Sequence, residues 1–183
     1  MLENNNRYKL LKVFLENPLD SFRLRELSRI VKISPPSVMA YLKEFDNEEL
    51  VIKFEKRGIP FYKANRENEK FIVYKKISII YEIYSCGIVN EIWDKLAPQA
   101  IILYGSHVKG EAIDDSDIDM FAITNNKNVK RMDNKAMDID LKKYEELLNK
   151  EIHLMTDNVK NIPNELKNNL VNGVVLKGYF KVF

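Results

Sequence analysis

The stretch that decides the fold of the C-terminal half runs from Ile101 to Thr124 and reads IILYGSHVKGEAIDDSDIDMFAIT. Two nearly continuous apolar runs, Ala100–Tyr104 and Ile118–Ile123, lie on either side of a glycine-containing and acidic segment. Short apolar runs bounded by turn residues are typical of buried strands. The stretch therefore predicts two buried strands, joined by a tight turn and a polar loop.

The turn after the first predicted strand has the composition of a phosphate-binding site. Gly105 allows a sharp bend and a close approach of the backbone to a ligand. Ser106 can cap a short helix and offer its hydroxyl to phosphate, while free amides at a helix start attract phosphate oxygens. Lys109 adds a positive charge one turn later, and His107 is expected to face solvent. This segment predicts binding of a nucleotide through its phosphates.

Two acidic residues lie on the second predicted strand. Asp117 and Asp119 are two positions apart, so their side chains point to the same face of the strand. Aspartate is disfavoured in strands, so a pair in an apolar strand favours a functional role over solvated edge charges. Two carboxylates on one face can bind Mg²⁺, which would bridge the phosphates and the attacking oxygen.

The order of these elements resembles a known signature. An apolar strand, Gly105-Ser106, about ten further residues and then Asp117-x-Asp119 resemble the nucleotidyltransferase superfamily that includes DNA polymerase β, kanamycin nucleotidyltransferase and the minimal nucleotidyltransferases. The resemblance covers about residues 77–183. It implies a small mixed sheet with flanking helices, Mg²⁺ or Mn²⁺ as cofactor, and transfer of a nucleoside monophosphate from a nucleoside triphosphate (NTP) to an acceptor hydroxyl.

The third acidic position of that superfamily is where this sequence departs from the pattern. A later predicted strand, residues 151–155, has His153 at the corresponding place, and Glu151 is expected to face the opposite side. A histidine side chain can act as a general base near neutral pH, so His153 is a candidate for that role, but the replacement equally fits a weakened activity. Asp138 and Asp140 are further candidates, at the expected start of a helix over Leu141–Asn149.

The N-terminal third has a different pattern. Amphipathic helices are predicted over residues 5–17, over residues 24–31, and after the N-cap Ser34 with its following prolines. Short strands over residues 51–54 and 60–64 surround a turn at Gly58. Three helices followed by a hairpin resemble a winged helix-turn-helix domain.

That resemblance implies contacts with DNA. The candidate residues are Ser37, Tyr41 and Lys43 on the third helix, with Lys53, Lys56 and Arg57 on the hairpin. Residues 1–70 contain 14 Lys and Arg against 11 Asp and Glu, so a monomer would bind weakly and a homodimer is expected. The same elements can alternatively serve protein contacts alone.

These patterns together predict a two-domain α+β or α/β protein. The predicted parts are a winged helix-turn-helix domain over residues 1–68, a helical connector over residues 69–96 and a nucleotidyltransferase-like domain over residues 97–183. The net charge of +2 does not predict a protein that binds nucleic acid over its whole surface. Cys86 is the single cysteine and cannot form an internal disulfide. With no apolar run near the roughly 20 residues that span a bilayer and a polar N-terminus, a cytoplasmic location is expected.

Two functional hypotheses follow. The first is a Mg²⁺-dependent nucleotidyltransferase in which Asp117, Asp119 and His153 act on an NTP held by Gly105, Ser106 and Lys109. The second is a DNA-binding regulator whose transferase-like domain senses a nucleotide without turnover. The resemblance to the minimal family also implies a small helical, toxin-like partner protein.

Overall fold

The computed structural model describes residues 4–124 and 139–180. The chain divides into two compact units, Met1–Ser78 and Ile79–Phe183. Among the described helices, none combines the length and the apolar character that crossing a bilayer demands.

The N-terminal unit contains three helices and a three-stranded antiparallel sheet. Its elements are α1 (Asn6–Glu16), β1 (Ser21–Phe22), α2 (Leu24–Val31), α3 (Pro35–Asn47), β2 (Val51–Lys56) and β3 (Ile59–Ala64), with the strand order β1-β3-β2. The predicted order of helices and hairpin is found, and β1 is an additional strand. Assignment of this unit to the winged helix-turn-helix class stays a prediction, as do the predicted domain boundaries.

Local sequence explains where α3 and the hairpin turn begin. The side chain of Ser34 accepts a hydrogen bond from the Ser37 backbone N–H, and proline occupies the first turn of α3. Arg57 and Gly58 both have positive φ, at 54° and 75°, which is the combination that a two-residue turn between twisted antiparallel strands requires. The core of this unit packs Phe14, Leu27 and Phe45 against the inner face of the sheet.

Two helices follow the hairpin. The predicted helical stretch over residues 69–96 is divided into α4 (Glu69–Cys86) and α5 (Ile88–Leu96). Gly87 interrupts it with a φ of 88°, a left-handed conformation that is accessible to glycine at little cost. α4 contributes Phe71 to the core of the N-terminal unit and Ile83 to the core of the C-terminal unit.

The C-terminal unit is built on a four-stranded mixed sheet. Its elements are β4 (Ala100–Tyr104), α6 (Ser106–Lys109), β5 (Ile118–Ile123), α7 (Leu141–Leu148), β6 (Ile152–Asp157), a 3₁₀ helix (Val159–Asn161), α8 (Asn164–Val171) and β7 (Val174–Gly178). The strand order is β6-β5-β4-β7, with β5 and β6 parallel and the other pairs antiparallel. The predicted small mixed sheet with flanking helices is thus found.

Both faces of this sheet are covered. One face packs Leu103, Met120 and Leu154 in a core with Ile88 and Ile92 of α5. The other face packs Ile102 and Phe121 with Leu170 of α8. Burial on both sides explains why β4 and β5 read as continuous apolar runs rather than as alternating ones. Gly105 and Ser106, which follow β4, and Asp117, which precedes β5, therefore lie at the ends of these strands.

Candidate active site

The turn after β4 is formed by a glycine that no other residue could replace without strain. Gly105 has φ 80° and ψ −154°, a combination that is essentially restricted to glycine. α6 starts at the next residue, Ser106, and Gly110 ends it with a φ of 81°. Lys109 is the last residue of α6 and is exposed. The chain thus bends sharply at the place where the sequence predicts phosphate binding.

The carboxylate of Asp119 lies directly against this bend. In the antiparallel pair of β4 and β5, Tyr104 is the register partner of Asp119. A Cβ atom placed on Gly105 would lie 2.2 Å from Asp119 Oδ2, so only a residue without a side chain fits here. Asp117, two positions earlier, immediately precedes β5. Both predicted acidic residues are therefore at the same strand end, beside the Gly105 turn.

His153 lies next to these two carboxylates. The parallel pairing of β5 and β6 makes His153 the register partner of Asp119. His153 Nδ1 is 3.6 Å from Asp117 Oδ2 and 3.8 Å from Asp119 Oδ1. The imidazole is about half exposed. The structure brings the three residues together, and their roles stay predictions.

Glu151 belongs to the same cluster, and the expectation that it faces the opposite side is wrong. One ligand atom each from Asp117, Glu151 and His153 lies within 4.8 Å of the other two. Positions 151 and 153 are two apart, so in an extended chain their side chains share a face. The backbone carbonyl of Glu151 accepts a hydrogen bond from Ile118 N–H at 2.8 Å, which fixes this residue beside the start of β5.

Burial perturbs the ionisable groups of the site. It raises the pKa of Asp119, and the negative charge of Asp117 raises that pKa further, while His153 opposes both effects. Burial also raises the pKa of the Tyr104 phenol to about 12, with a contribution from the Asp119 charge. A neighbouring cation would relieve the cost of two acidic groups held this close together.

His107 has a structural role that the sequence did not indicate. The side chain is 6% exposed, so the expectation that it faces solvent is wrong. Its Nε2 lies 3.3 Å from the carbonyl oxygen of Ser116. Because a carbonyl can only accept, this ring nitrogen donates. The bond connects α6 to the loop that carries Asp117.

Two other residues, Asp138 and Asp140, were candidates for the third acidic position. Asp140 is exposed and immediately precedes α7, in agreement with the predicted helix start. Asp138 lies outside the described residues.

The predicted DNA contacts fall on several surfaces of the N-terminal unit. Lys43, Lys53, Lys56 and Arg57 are exposed, whereas Ser37 and Tyr41 are partly buried. Ser37 also shares a hydrogen bond with the Ser34 hydroxyl at 2.9 Å. Lys53 and Lys56 are three positions apart on β2, so they lie on opposite faces of the sheet. Their contact with DNA stays a prediction.

The fold and the acidic strand end define a class of protein, and comparison with known families names it. The family model described as "Polymerase beta, Nucleotidyltransferase" matches residues 87–179. The chain belongs to this family, which supports a nucleotidyltransferase-type function in general. No curated protein matches the chain.

One similar solved structure is described as "Crystal structure of the toxin-antitoxin with AMP-PNP". Its sequence is 24% identical, the match covers 50% of this chain and 71% of that chain, and the TM-score is 0.39.

Proposed function

We propose that the C-terminal unit transfers a nucleoside monophosphate from an NTP to an acceptor hydroxyl and releases pyrophosphate, with a divalent cation as cofactor. The observation that carries this proposal is the meeting of Asp117, Asp119, Glu151 and His153 beside the Gly105 turn. Family membership supports the general class of reaction.

The donor atoms fit a hard divalent cation. Asp117 and Glu151 provide carboxylate oxygens within 4.8 Å of each other and of His153, and Asp119 Oδ1 lies 3.8 Å from His153 Nδ1. Carboxylates suit Mg²⁺, which takes its other ligands from water and substrate phosphates, and they also suit Mn²⁺. When bound, such an ion supplies positive charge to the phosphate oxygens. In this proposal Glu151 fills the third acidic position of the superfamily.

The chain's own residues have separate tasks in the proposed reaction. The backbone at Gly105 and Ser106 holds the triphosphate, because no Cβ blocks its approach and a helix begins there. The exposed ammonium of Lys109 adds a contact to the same phosphates. These contacts orient the α-phosphorus for in-line attack by the acceptor.

His153 is the proposed general base. It takes the proton of the acceptor hydroxyl as that oxygen bonds to the α-phosphorus, while the bond from the α-phosphorus to the bridging oxygen breaks and pyrophosphate leaves. The carboxylates of Asp117 and Asp119, both within 4 Å of Nδ1, stabilise the imidazolium that results. The Nδ1 edge faces these acids, so Nε2 is the nitrogen available to the acceptor.

The proposal is tested with purified protein, Mg²⁺ or Mn²⁺, and each of the four α-labelled NTPs. With the wild-type protein we expect two signals, which are pyrophosphate release and label on an acceptor. The protein itself can be that acceptor. Asp117→Asn with Asp119→Asn should abolish both signals. Asp115→Asn removes an exposed carboxylate of the same loop and should leave them intact. Labelling that persists in the double variant would contradict the site assignment.

A regulator that binds DNA and senses a nucleotide is the alternative, favoured by the exposed Lys43, Lys56 and Arg57 of the N-terminal unit. In that case the protein would bind NTP without releasing pyrophosphate and would shift a duplex DNA band. A homodimer would bring two such surfaces to one DNA site.

A further inference from the structure

A basic concave surface lies between the start of α2 and β3 in the N-terminal unit. It is lined by Arg23, Arg25, Glu26, Arg29 and Phe61. None of these residues belongs to the proposed transfer site or to the set expected to contact DNA. The surface contains three guanidinium groups and a single carboxylate.

Two of the arginines of this surface have no counter-charge in the part of the chain that the structure describes. Arg25 and Arg29 are one helical turn apart on α2, and like charges at that spacing repel. Across residues 4–124 and 139–180, neither side chain has a hydrogen-bond or ion-pair partner. Glu26 is engaged with the N-terminus of its own helix, where its carboxylate accepts from the Arg23 backbone N–H at 3.2 Å. The cluster therefore offers unsatisfied donors to an anion.

Aromatic rings continue the surface across the sheet. The Arg23 guanidinium lies over the Phe61 ring, 5.0 Å from its centroid. Phe61 stacks with its strand partner Phe54 at 5.8 Å and 26° between planes. Lys63 lies over Phe54 at 5.7 Å. The two stacked rings thus have a cation at each end, and the Arg23 guanidinium retains N–H groups that can bind phosphate.

This surface is on the face of the sheet away from α3. Phe61 and its neighbour Tyr62 point to opposite faces of β3. Tyr62 is buried in the core, and its hydroxyl contacts Met39 Sδ of α3 at 3.9 Å. A ligand on the Phe54–Phe61 face is therefore not in the position of a duplex read by α3.

We infer that this surface, formed by Arg23, Arg25, Arg29, Phe54, Phe61 and Lys63, binds single-stranded nucleic acid. Its phosphates meet the arginines, and its bases contact the ring pair and the exposed Ile52 and Ile59 beside it. A pair of aromatic rings flanked by cations is the chemistry that single strands require. An acidic peptide would satisfy the arginines alone and leave the ring pair without a matching partner.

The test uses the 183-residue chain and fluorescence anisotropy of a labelled single-stranded 12-mer. The first variant is Arg25→Ala with Arg29→Ala. Its matched control, Lys142→Ala with Lys160→Ala, removes the same charge from exposed positions of the other unit. We expect the arginine variant to weaken binding about tenfold and to reduce the slope of log K against log salt by about 1.4. The control should stay within about twofold at fixed salt.

A second variant addresses the rings separately from the charge. Phe61→Leu should weaken single-strand binding about tenfold while leaving the salt slope unchanged, with thermal unfolding measured to verify folding. Free ATP and an acidic peptide, each added at the same total negative charge as an unlabelled strand, should compete poorly with the labelled strand for binding. The inference is overturned if wild type does not bind the strand in low salt, if the arginine variant binds as wild type does, or if free ATP or the acidic peptide displaces the strand equally well.

Discussion

Gly105 and Asp119 are packed so closely that a methyl group on the glycine would meet the Asp119 carboxylate oxygen at 2.2 Å. The contact joins the turn after β4 to the acidic end of β5. A triphosphate on the turn and a cation on the carboxylate would therefore be neighbours without any movement of the backbone. Groups that are already in position before the reaction lower its barrier, because no free energy is spent on moving them.

Gly105→Ala should therefore impair activity severely. The new Cβ collides with Asp119, and the backbone conformation at 105 costs a non-glycine residue about 1–3 kcal/mol. We expect pyrophosphate release to fall about a hundredfold, which corresponds to about 2.7 kcal/mol of transition-state stabilisation. Gly58→Ala is the control, since that glycine also has positive φ but nothing within 4 Å of an added Cβ. Equal activity in the two alanine variants would argue against the Gly105 contact.

Asp119→Asn should separate function from stability. Burial raises the pKa of Asp119 in the folded chain, so its ionised form is less favourable there than in the unfolded chain. The protonated Asp119 side chain stabilises the folded chain at pH values below the pKa that Asp119 has in the unfolded chain. This stabilisation is lost as pH rises through the raised pKa that Asp119 has in the folded chain. At pH 7 the variant should lose activity while Tm rises by roughly 1–2 °C, the small size expected for a partly exposed carboxylate. A lowered Tm in calorimetry would contradict this account.

Glu151→Gln and His153→Gln should produce different defects. Removing a carboxylate ligand should weaken Mn²⁺ binding by about tenfold, or about 1.4 kcal/mol. Removing the proposed base should lower kcat with Mn²⁺ affinity less affected. Calorimetric Mn²⁺ titration and pyrophosphate release measure the two effects, and Glu146→Gln, an exposed residue of α7, serves as control. Identical profiles for the two variants would mean that His153 is a ligand rather than a base.

His107 should act as a positioning residue. His107→Leu removes the donor to the Ser116 carbonyl and should reduce the free energy of unfolding by about 1–2 kcal/mol. The loop that carries Asp117 should be less well placed, so we expect kcat to fall with little change in KM. His107→Gln retains an N–H donor and should recover part of kcat. No difference between the leucine and glutamine variants would exclude a role for this hydrogen bond.

Duplex binding by the N-terminal unit can be tested through its salt dependence. Each lysine or arginine that contacts a phosphate contributes about 0.9 to the slope of log K against log salt. Lys43→Ala and Arg57→Ala should each reduce the slope by about that amount in a band-shift assay. Slopes equal to that of wild type would favour the alternative in which this unit makes only protein contacts.

The sequence predicts most of the C-terminal fold because its signals are local. Burial on both faces makes β4 and β5 continuous apolar runs, and only glycine accommodates the bend at 105. β1 could not be predicted, because a two-residue strand has no periodicity and exists only through pairing with β3. The placement of Glu151 failed for a different reason. Residues 151 and 153 are two apart, so the alternation of an extended chain puts Glu151 on the face of His153 and not on the opposite one.

The buried hydrogen bond of His107 is the clearest example of a feature that no local sequence pattern predicts. A histidine on a four-residue helix has too few neighbours in sequence to define a buried face. Its partner, the Ser116 carbonyl, is a backbone group, which carries no signature in the amino-acid letters. The hydrogen bond depends on how the loop closes, which only the folded chain determines.

α4 has a consequence for how the chain unfolds. It runs unbroken from Glu69 to Cys86, across the boundary after Ser78, and supplies buried side chains to two separate cores. Disruption of such a helix at its middle should be transmitted in both directions, so the melting of each unit is expected to depend on the other.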